Sequence, residues 1–169
     1  MTSLSIVSQV VRFAVPQDMR QLLDLCRLMH AENGLFPLSE AKVMHELDSS
    51  TRQESGIIGV IGTPGSPVGI AWLIAGCAWY TETPSISDRT VFVHPDHREG
   101  THHFRDLMEW AQAMSDSTGP LLIGVLSGYR TAAKLRLYQR HFGAPKAYLF
   151  TYGLRDWRPD GEAQCGLGG

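Results

Sequence analysis

Between Thr90 and Met114 the chain gathers the residue types that could bind an anion or a metal. Thr90-Val91-Phe92-Val93 is a short β-branched and aromatic run, which predicts a buried strand. A loop containing Pro95, Asp96, Arg98 and Gly100 follows, and then Phe104, Leu107, Met108, Ala111 and Met114 fall at helical spacings of three and four. Thr101 is the predicted N-cap of that helix. A strand, a glycine-containing loop and a helix N-terminus together aim backbone N–H groups and a positive dipole end at one point, which suits a phosphate or pyrophosphate. An ordinary strand-to-helix connection would have the same outline. Four histidines, His94, His97, His102 and His103, also fall in this stretch. With the helix starting near Thr101, His102 and His103 diverge by about 100° around it, and no cysteine is near, so no metal site is expected.

The elements around this segment can be read in order. Val10 to Val15 predicts a first strand with Val11, Phe13 and Val15 on one face, ended by Pro16. Met19, Leu22, Leu23, Cys26, Leu28 and Met29 describe an amphipathic helix stopping near Asn33-Gly34. The apolar loop Leu35 to Leu38 leads to a second helix capped by Ser39, with Val43, Met44 and Leu47 inward, and Ser49 to Ser55 is expected to be loop. Ile57 to Ile61 and Val68 to Tyr80 form a hairpin across Thr63-Pro64-Gly65-Ser66-Pro67, and Ile86 to Val93 continues the meander. After the central helix, Leu121 to Leu126 is a continuous apolar run that predicts a strand buried on both faces. A helix from about Thr131 to His141 and a last strand from Ala147 to Leu154 complete the pattern, followed by a polar, Gly-rich tail. The expectation is one domain over residues 1–155 and a flexible tail over 156–169. Its architecture is a mixed, mostly antiparallel α/β sheet with helices on both faces.

Composition narrows the function classes. With 169 residues, 43% hydrophobic and 19% charged, the chain is an ordinary globular sequence. A net charge of −2 gives no global attraction to nucleic acid or acidic membranes, so neither is an expected partner. A local basic cluster, Arg130, Lys134, Arg136 and Arg140, could meet a phosphate or an acidic partner, or could be a solvated helix face. The three cysteines, Cys26, Cys77 and Cys165, form neither a disulfide framework nor a Cys-x-x-Cys pair, which makes a reducing, cytoplasmic compartment the simplest. The first residues lack the basic flank and apolar core of a signal peptide, and no apolar run reaches membrane-spanning length.

Two motifs go further. Val91-Phe92-Val93-His94-Pro95-Asp96-His97-Arg98 resembles the V-x-V-x-P-x-x-R segment that leads into the cofactor loop of the GNAT superfamily of acyl-CoA N-acyltransferases. Leu137-Tyr138-Gln139-Arg140-His141-Phe142-Gly143 resembles that superfamily's L-Y-x-x-x-G-F segment, with the terminal Gly-Phe inverted. The loop Arg98-Glu99-Gly100-Thr101-His102-His103 has one glycine where the superfamily commonly has two small residues, a variant similar to GNAT-like proteins of bacteriophage and prophage type.

The resemblance implies an N-acetyltransferase using acetyl-CoA as cosubstrate on a primary amine, carried by a small molecule or a peptide. Arg98, Glu99, Gly100, Thr101, His102 and His103 would receive the pyrophosphate. The backbone of Phe92 and Val93 would hydrogen-bond the pantetheine arm and polarise the thioester carbonyl. Tyr138 would protonate the leaving thiolate, and Asp88 is the first candidate for the amine's base, with Glu82, Glu99 or a water chain as alternatives. Core or rim packing for Tyr138 and a strand-edge role for Asp88 remain open. So does a second function class: a non-catalytic GNAT-fold binding or assembly protein, phage-related in one version. A homodimer is one assembly state left open.

Overall fold

The computed structural model describes residues 10–125 and 131–147 of the chain. Five strands pair in the order β1-β2-β3-β4-β5: β1 (Val11–Phe13), β2 (Ile57–Thr63), β3 (Ser66–Gly76), β4 (Ser85–Val93) and β5 (Leu121–Leu122). The first three pairings are antiparallel and β4–β5 is parallel, so the sheet is mixed and mostly antiparallel. Two helices, α1 (Met19–Asn33) and α2 (Glu40–Thr51), cover one face, and α3 (His103–Asp116) covers the other. A fourth helix, α4 (Thr131–Phe142), follows β5. The expected last strand, from Ala147 onward, lies almost wholly outside the described residues, as do Arg130, Cys165 and the tail.

Alternation along the strands explains the two-sided core. Ile58, Val60, Ile70 and Trp72 pack with Leu22, Leu25, Cys26 and Leu47 of α1 and α2. Ile61, Ala71 and Leu73 pack with Leu107, Trp110 and Ala111 of α3. Trp110, which the α3 pattern did not single out, is 2% exposed and lies against Gly59, where a Cβ would come within 2.7 Å of the indole ring.

Several local expectations are corrected. Thr101 is not the N-cap of α3: that position is His102, and the Thr101 hydroxyl donates to the His97 carbonyl at 2.8 Å. Ser39 does cap α2, its hydroxyl accepting from the Lys42 amide at 3.4 Å. That helix continues through Ser49 and Ser50 because Ser50 is buried and accepts a hydrogen bond from the Trp72 indole at 2.9 Å. The turn between β2 and β3 has only Pro64 and Gly65 between the paired residues Thr63 and Ser66, and Gly65 takes φ +83°, a left-handed conformation natural to glycine. Trp79 and Tyr80 lie beyond the end of β3 and are exposed. Phe13 is also exposed, its ring edge-on to Trp110 at 5.7 Å. The strand expected over Leu121 to Leu126 is two residues long, and Leu122 is exposed rather than buried on both faces.

Candidate functional site

The site begins with an irregularity in β4. Trp72 and Leu73 are neighbours on β3, yet they pair with Thr90 and Asp88, so Arg89 is an extra residue, a β-bulge. The bulge reverses the side-chain phase of the strand. Ile86 packs towards α3 and Phe92 towards α1 and α2, although six residues of regular strand would keep them on one face. Asp88 opposes Leu73, which faces α3, while Thr90 and Phe92 belong to the other side.

Next to the bulge the sheet opens. The β4–β5 pairing consists of Ile86↔Leu121 and Ser87↔Leu122, and beyond it the strands part. In the gap, the Asp88 carboxylate accepts from the Gly124 amide at 2.9 Å, where a backbone carbonyl would otherwise have continued the ladder. A cavity of about 360 Å³ occupies the resulting wedge. Its walls are Asp88 to Val93 of β4, the C-terminal end of α1 including Met29, Glu32 and Asn33, Arg98, Phe104, Gly124, Val125, and Lys134, Leu137 and Tyr138 of α4.

The register shows which backbone groups face the wedge. The His94 amide donates to the Val68 carbonyl at 2.8 Å, which makes Val93 and Gly69 a non-hydrogen-bonded pair. Val93, and Val91 two residues earlier, therefore turn their N–H and C=O groups away from β3 and towards the open edge. Phe92 opposes Ile70 in the alternate, hydrogen-bonded position, so its backbone is committed to the sheet and it offers only its ring. The expectation that Phe92 presents backbone groups is thus corrected to Val91, which the sequence reading passed over. Val93 also turns its backbone to the open edge.

Polar side chains converge on the same wedge. Burial raises the Asp88 pKa to about 6, the Gly124 amide opposing the shift. Tyr138 is pushed well above the usual phenol value, first by burial and then by the negative charge of Asp88. Its ring packs edge-on against Phe104 at 5.2 Å. A potential proton acceptor and a potential proton donor, fifty positions apart in sequence, thus face one cavity, and the charge of the first acts on the second. The alternative carboxylates do not: Glu82 and Glu99 are exposed and outside the lining.

Arg98 is already engaged. Its Nε donates to the Val93 carbonyl at 2.8 Å, another guanidinium nitrogen donates to Glu32 at 2.8 Å, and the group lies 4.9 Å from the Phe92 ring centre. Lys134 turns into the same cluster, donating to the Asn33 side-chain carbonyl at 2.6 Å with Glu32 at 3.9 Å. Burial lowers its pKa, the Glu32 charge opposes that shift, and the Arg98 charge adds to it. The basic cluster is therefore divided, with Lys134 inward and Arg136 and Arg140 exposed. Glu32 and Asn33 were missed because the end of an amphipathic helix gives no sign of what it reaches in three dimensions.

Of the loop residues, Arg98 alone lines the cavity. Glu99, Gly100, Thr101 and His102 are exposed, and His103 is the half-buried first residue of α3. Gly100 has φ +68°, and nothing lies within 4 Å of where a Cβ would be. The exposed loop and the first-turn amides of α3 form an open shelf. Among the described residues, no group of three His, Cys, Asp or Glu side chains is arranged to hold a metal ion, and no helix is long and apolar enough to cross a membrane.

A second cavity, also about 360 Å³, lies on the α1/α2 face of β4 and shares Met29, Arg89 and Thr90 with the first. Cys26 is part of its wall, and burial pushes that thiol up to about 11, which leaves it unreactive.

No protein-family model matches the sequence, and no curated protein matches it. Solved structures do match. A possible acetyltransferase from Clostridium difficile 630 aligns with a TM-score of 0.66 at 13% identity, covering 84% of this chain and 95% of that one. Aminoglycoside N-acetyltransferase AAC(6')-Iy, in complex with CoA, gives 0.66 at 10% identity over 84% of this chain and 91% of its own. A GNAT family acetyltransferase from Staphylococcus aureus gives 0.58 at 14% identity over 85% and 96%. These neighbours show that the chain has the GNAT fold.

Proposed function

We propose that this protein transfers an acetyl group from acetyl-CoA to a primary amine. The observation that carries the reading is the convergence of Asp88 and Tyr138 on the wedge into which the Val91 and Val93 backbones point. The thioester arm would lie along the open edge of β4 and bond the outward N–H groups of those two valines and the Val91 carbonyl, the Val93 carbonyl being held by Arg98. The pyrophosphate would rest on the Gly100 shelf and the first turn of α3, with Arg98, His102 and His103 beside it.

In the reaction, Asp88 as carboxylate takes a proton from the amine, whose nitrogen attacks the thioester carbonyl carbon. A C–N bond forms, and an outward backbone N–H stabilises the developing oxyanion. Collapse breaks the C–S bond, Tyr138 protonates the thiolate, and the proton held by Asp88 restores the phenol through solvent. The net proton movement is from the amine to the CoA sulfur. A pKa of about 6 leaves Asp88 ionised at neutral pH yet more basic than an ordinary aspartate.

The test is thermal denaturation with and without millimolar acetyl-CoA, since a ligand that binds only the folded state raises the melting temperature. The expected result is a shift that disappears in Gly100→Trp, whose side chain would occupy the shelf, and shrinks in Arg98→Ala. A folded wild-type protein that shows no shift would overturn the proposal.

A further inference from the structure

The second cavity identifies the chemical class of the amine, an inference that rests on the acetyl-transfer reading. It shares Met29, Arg89 and Thr90 with the wedge that Asp88 also lines, so a molecule seated in it reaches the β4 bulge beside that carboxylate. Most of its wall is apolar, with Trp72, Val43, Pro37 and Leu38 among the lining residues. Its charged groups are Arg89, Glu46 and Lys42, an excess of one positive charge. Arg89 is held by the Glu46 carboxylate at 3.0 Å and by the Trp72 ring face at 5.4 Å, which leaves a planar fork with further N–H donors. Among the described residues Lys42 has no ion-pair partner, and it is an exposed residue of the lining.

We propose that the acceptor is an α-amino acid with an apolar side chain, its carboxylate bound by Arg89 and Lys42. The apolar side chain fills the space between Trp72, Val43 and Leu38. The amine, one carbon from the carboxylate, is thereby placed beside Thr90, a residue common to the second cavity and the wedge. A polyamine or another multiply cationic acceptor would set its charges against Arg89 and Lys42, with Glu46 already engaged, so the lining selects against it. The β-bulge serves this arrangement twice, because the inserted residue that turns Asp88 towards the wedge is Arg89 itself.

The experiment follows thiol release from acetyl-CoA by the full-length protein with leucine, leucinamide, 3-methylbutylamine and spermidine. Leucine and leucinamide differ in the carboxylate alone. The expected kcat/KM for leucine exceeds those of the other three by at least about tenfold, the scale of one charge-assisted contact. In Lys42→Glu and Arg89→Gln the gap between leucine and leucinamide collapses, through KM more than kcat. Lys42 is an exposed helix residue, so its variant is expected to fold even if the loss of Arg89 loosens β4. Equal or better turnover of leucinamide, 3-methylbutylamine or spermidine overturns the assignment, as does turnover of none of the four by a protein that acetyl-CoA stabilises. Absence of that stabilisation overturns the parent reading instead.

Discussion

Arg98 and Glu32, 66 positions apart in the chain, meet at 2.8 Å across the wedge, while the same guanidinium holds the Val93 carbonyl at 2.8 Å. Glu32 thus presents a carboxylate to the cation expected to stand beside a pyrophosphate, and Lys134 lies 3.9 Å from its other oxygen. Phosphate oxygens and this carboxylate would compete for the same donors.

The Glu32→Gln variant removes a negative charge while keeping the size of the side chain. Because the pair is partly exposed, its worth is about 1 kcal/mol or less, so acetyl-CoA is expected to bind up to about fivefold more tightly. Calorimetric titration of both proteins at equal ionic strength measures the difference. Weaker binding in the variant would show that Glu32 orients Arg98 for the ligand rather than competing with it.

A different carboxylate holds the start of the chain. Asp18 is fully buried and accepts from two Arg12 nitrogens at 2.7 and 2.9 Å, from the Val15 amide at 2.9 Å and from the Gly65 amide at 2.8 Å. Burial pushes its pKa up, but the Arg12 hydrogen bonds and then the two amides outweigh it, and the net shift is downward. Asp18→Asn puts an NH₂ group among donors and should cost about 3 kcal/mol, the low end for a broken buried pair since Arg12 reaches water. The wild-type contribution is present above the ordinary carboxylate range and is lost as pH falls through the lowered folded-state value. Urea titrations at neutral pH and near pH 3 should show the two proteins differing most at neutral pH and converging in acid.

How far the sequence anticipates this structure depends on whether a feature is periodic. The α3 face Leu107, Met108 and Ala111 and the β2–β3 hairpin follow from spacing alone, because burial on one side imposes the period. Asp88 and Tyr138 were identifiable as candidates only through motif resemblance, and nothing local indicated that they share a cavity. The bulge at Arg89 was invisible, since an inserted residue leaves an alternating pattern looking intact while reversing its phase. That reversal is why Val91 rather than Phe92 offers backbone to the wedge. The β5 run was misread for a related reason. Its apolar residues suggest two buried faces, but Asp88 takes the Gly124 amide and ends the pairing after two residues, leaving Leu122 at an edge of the described sheet.

Gly59 opposes Ala71 in the middle of the sheet, and the Trp110 indole lies flat over the place of its missing side chain. A Cβ there would sit 2.7 Å from two ring carbons, closer than van der Waals contact allows, and Trp110 is too tightly packed to withdraw without moving α3. Gly59→Ala should therefore destabilise the fold by about 1–3 kcal/mol, the ordinary cost of overpacking. Adding Trp110→Phe should be less harmful in the Gly59→Ala background than in wild type, because the smaller ring relieves the contact. Chemical denaturation of the four proteins in the cycle gives the coupling, and strictly additive losses would mean that the two residues do not clash.

The Asp88–Tyr138 pair makes opposite predictions for stability and for rate. A folded-state pKa of about 6 against an ordinary value of 3.8 means that the native protein binds more protons than the unfolded chain between these values. Stability contributed by Asp88 therefore falls as pH rises from about 4 to about 6 and is level above that. Asp88→Asn keeps an oxygen for the Gly124 amide, removes the buried charge and should be at least as stable as wild type at pH 7. Its acetyl transfer should nevertheless fall by about 10²- to 10⁴-fold, the range of a positioned general base. In the wild type, kcat/KM should gain a tenfold rise per pH unit below about 6 that is absent from the ratio plot of Asp88→Asn, where only the acceptor's own ionisation remains. Tyr138→Phe should lower kcat by a comparable factor without weakening acetyl-CoA binding, since its hydroxyl is needed only when the thiolate leaves. A destabilised Asp88→Asn protein, or one with an unchanged pH profile, would show that the carboxylate holds the wedge open and does no proton transfer.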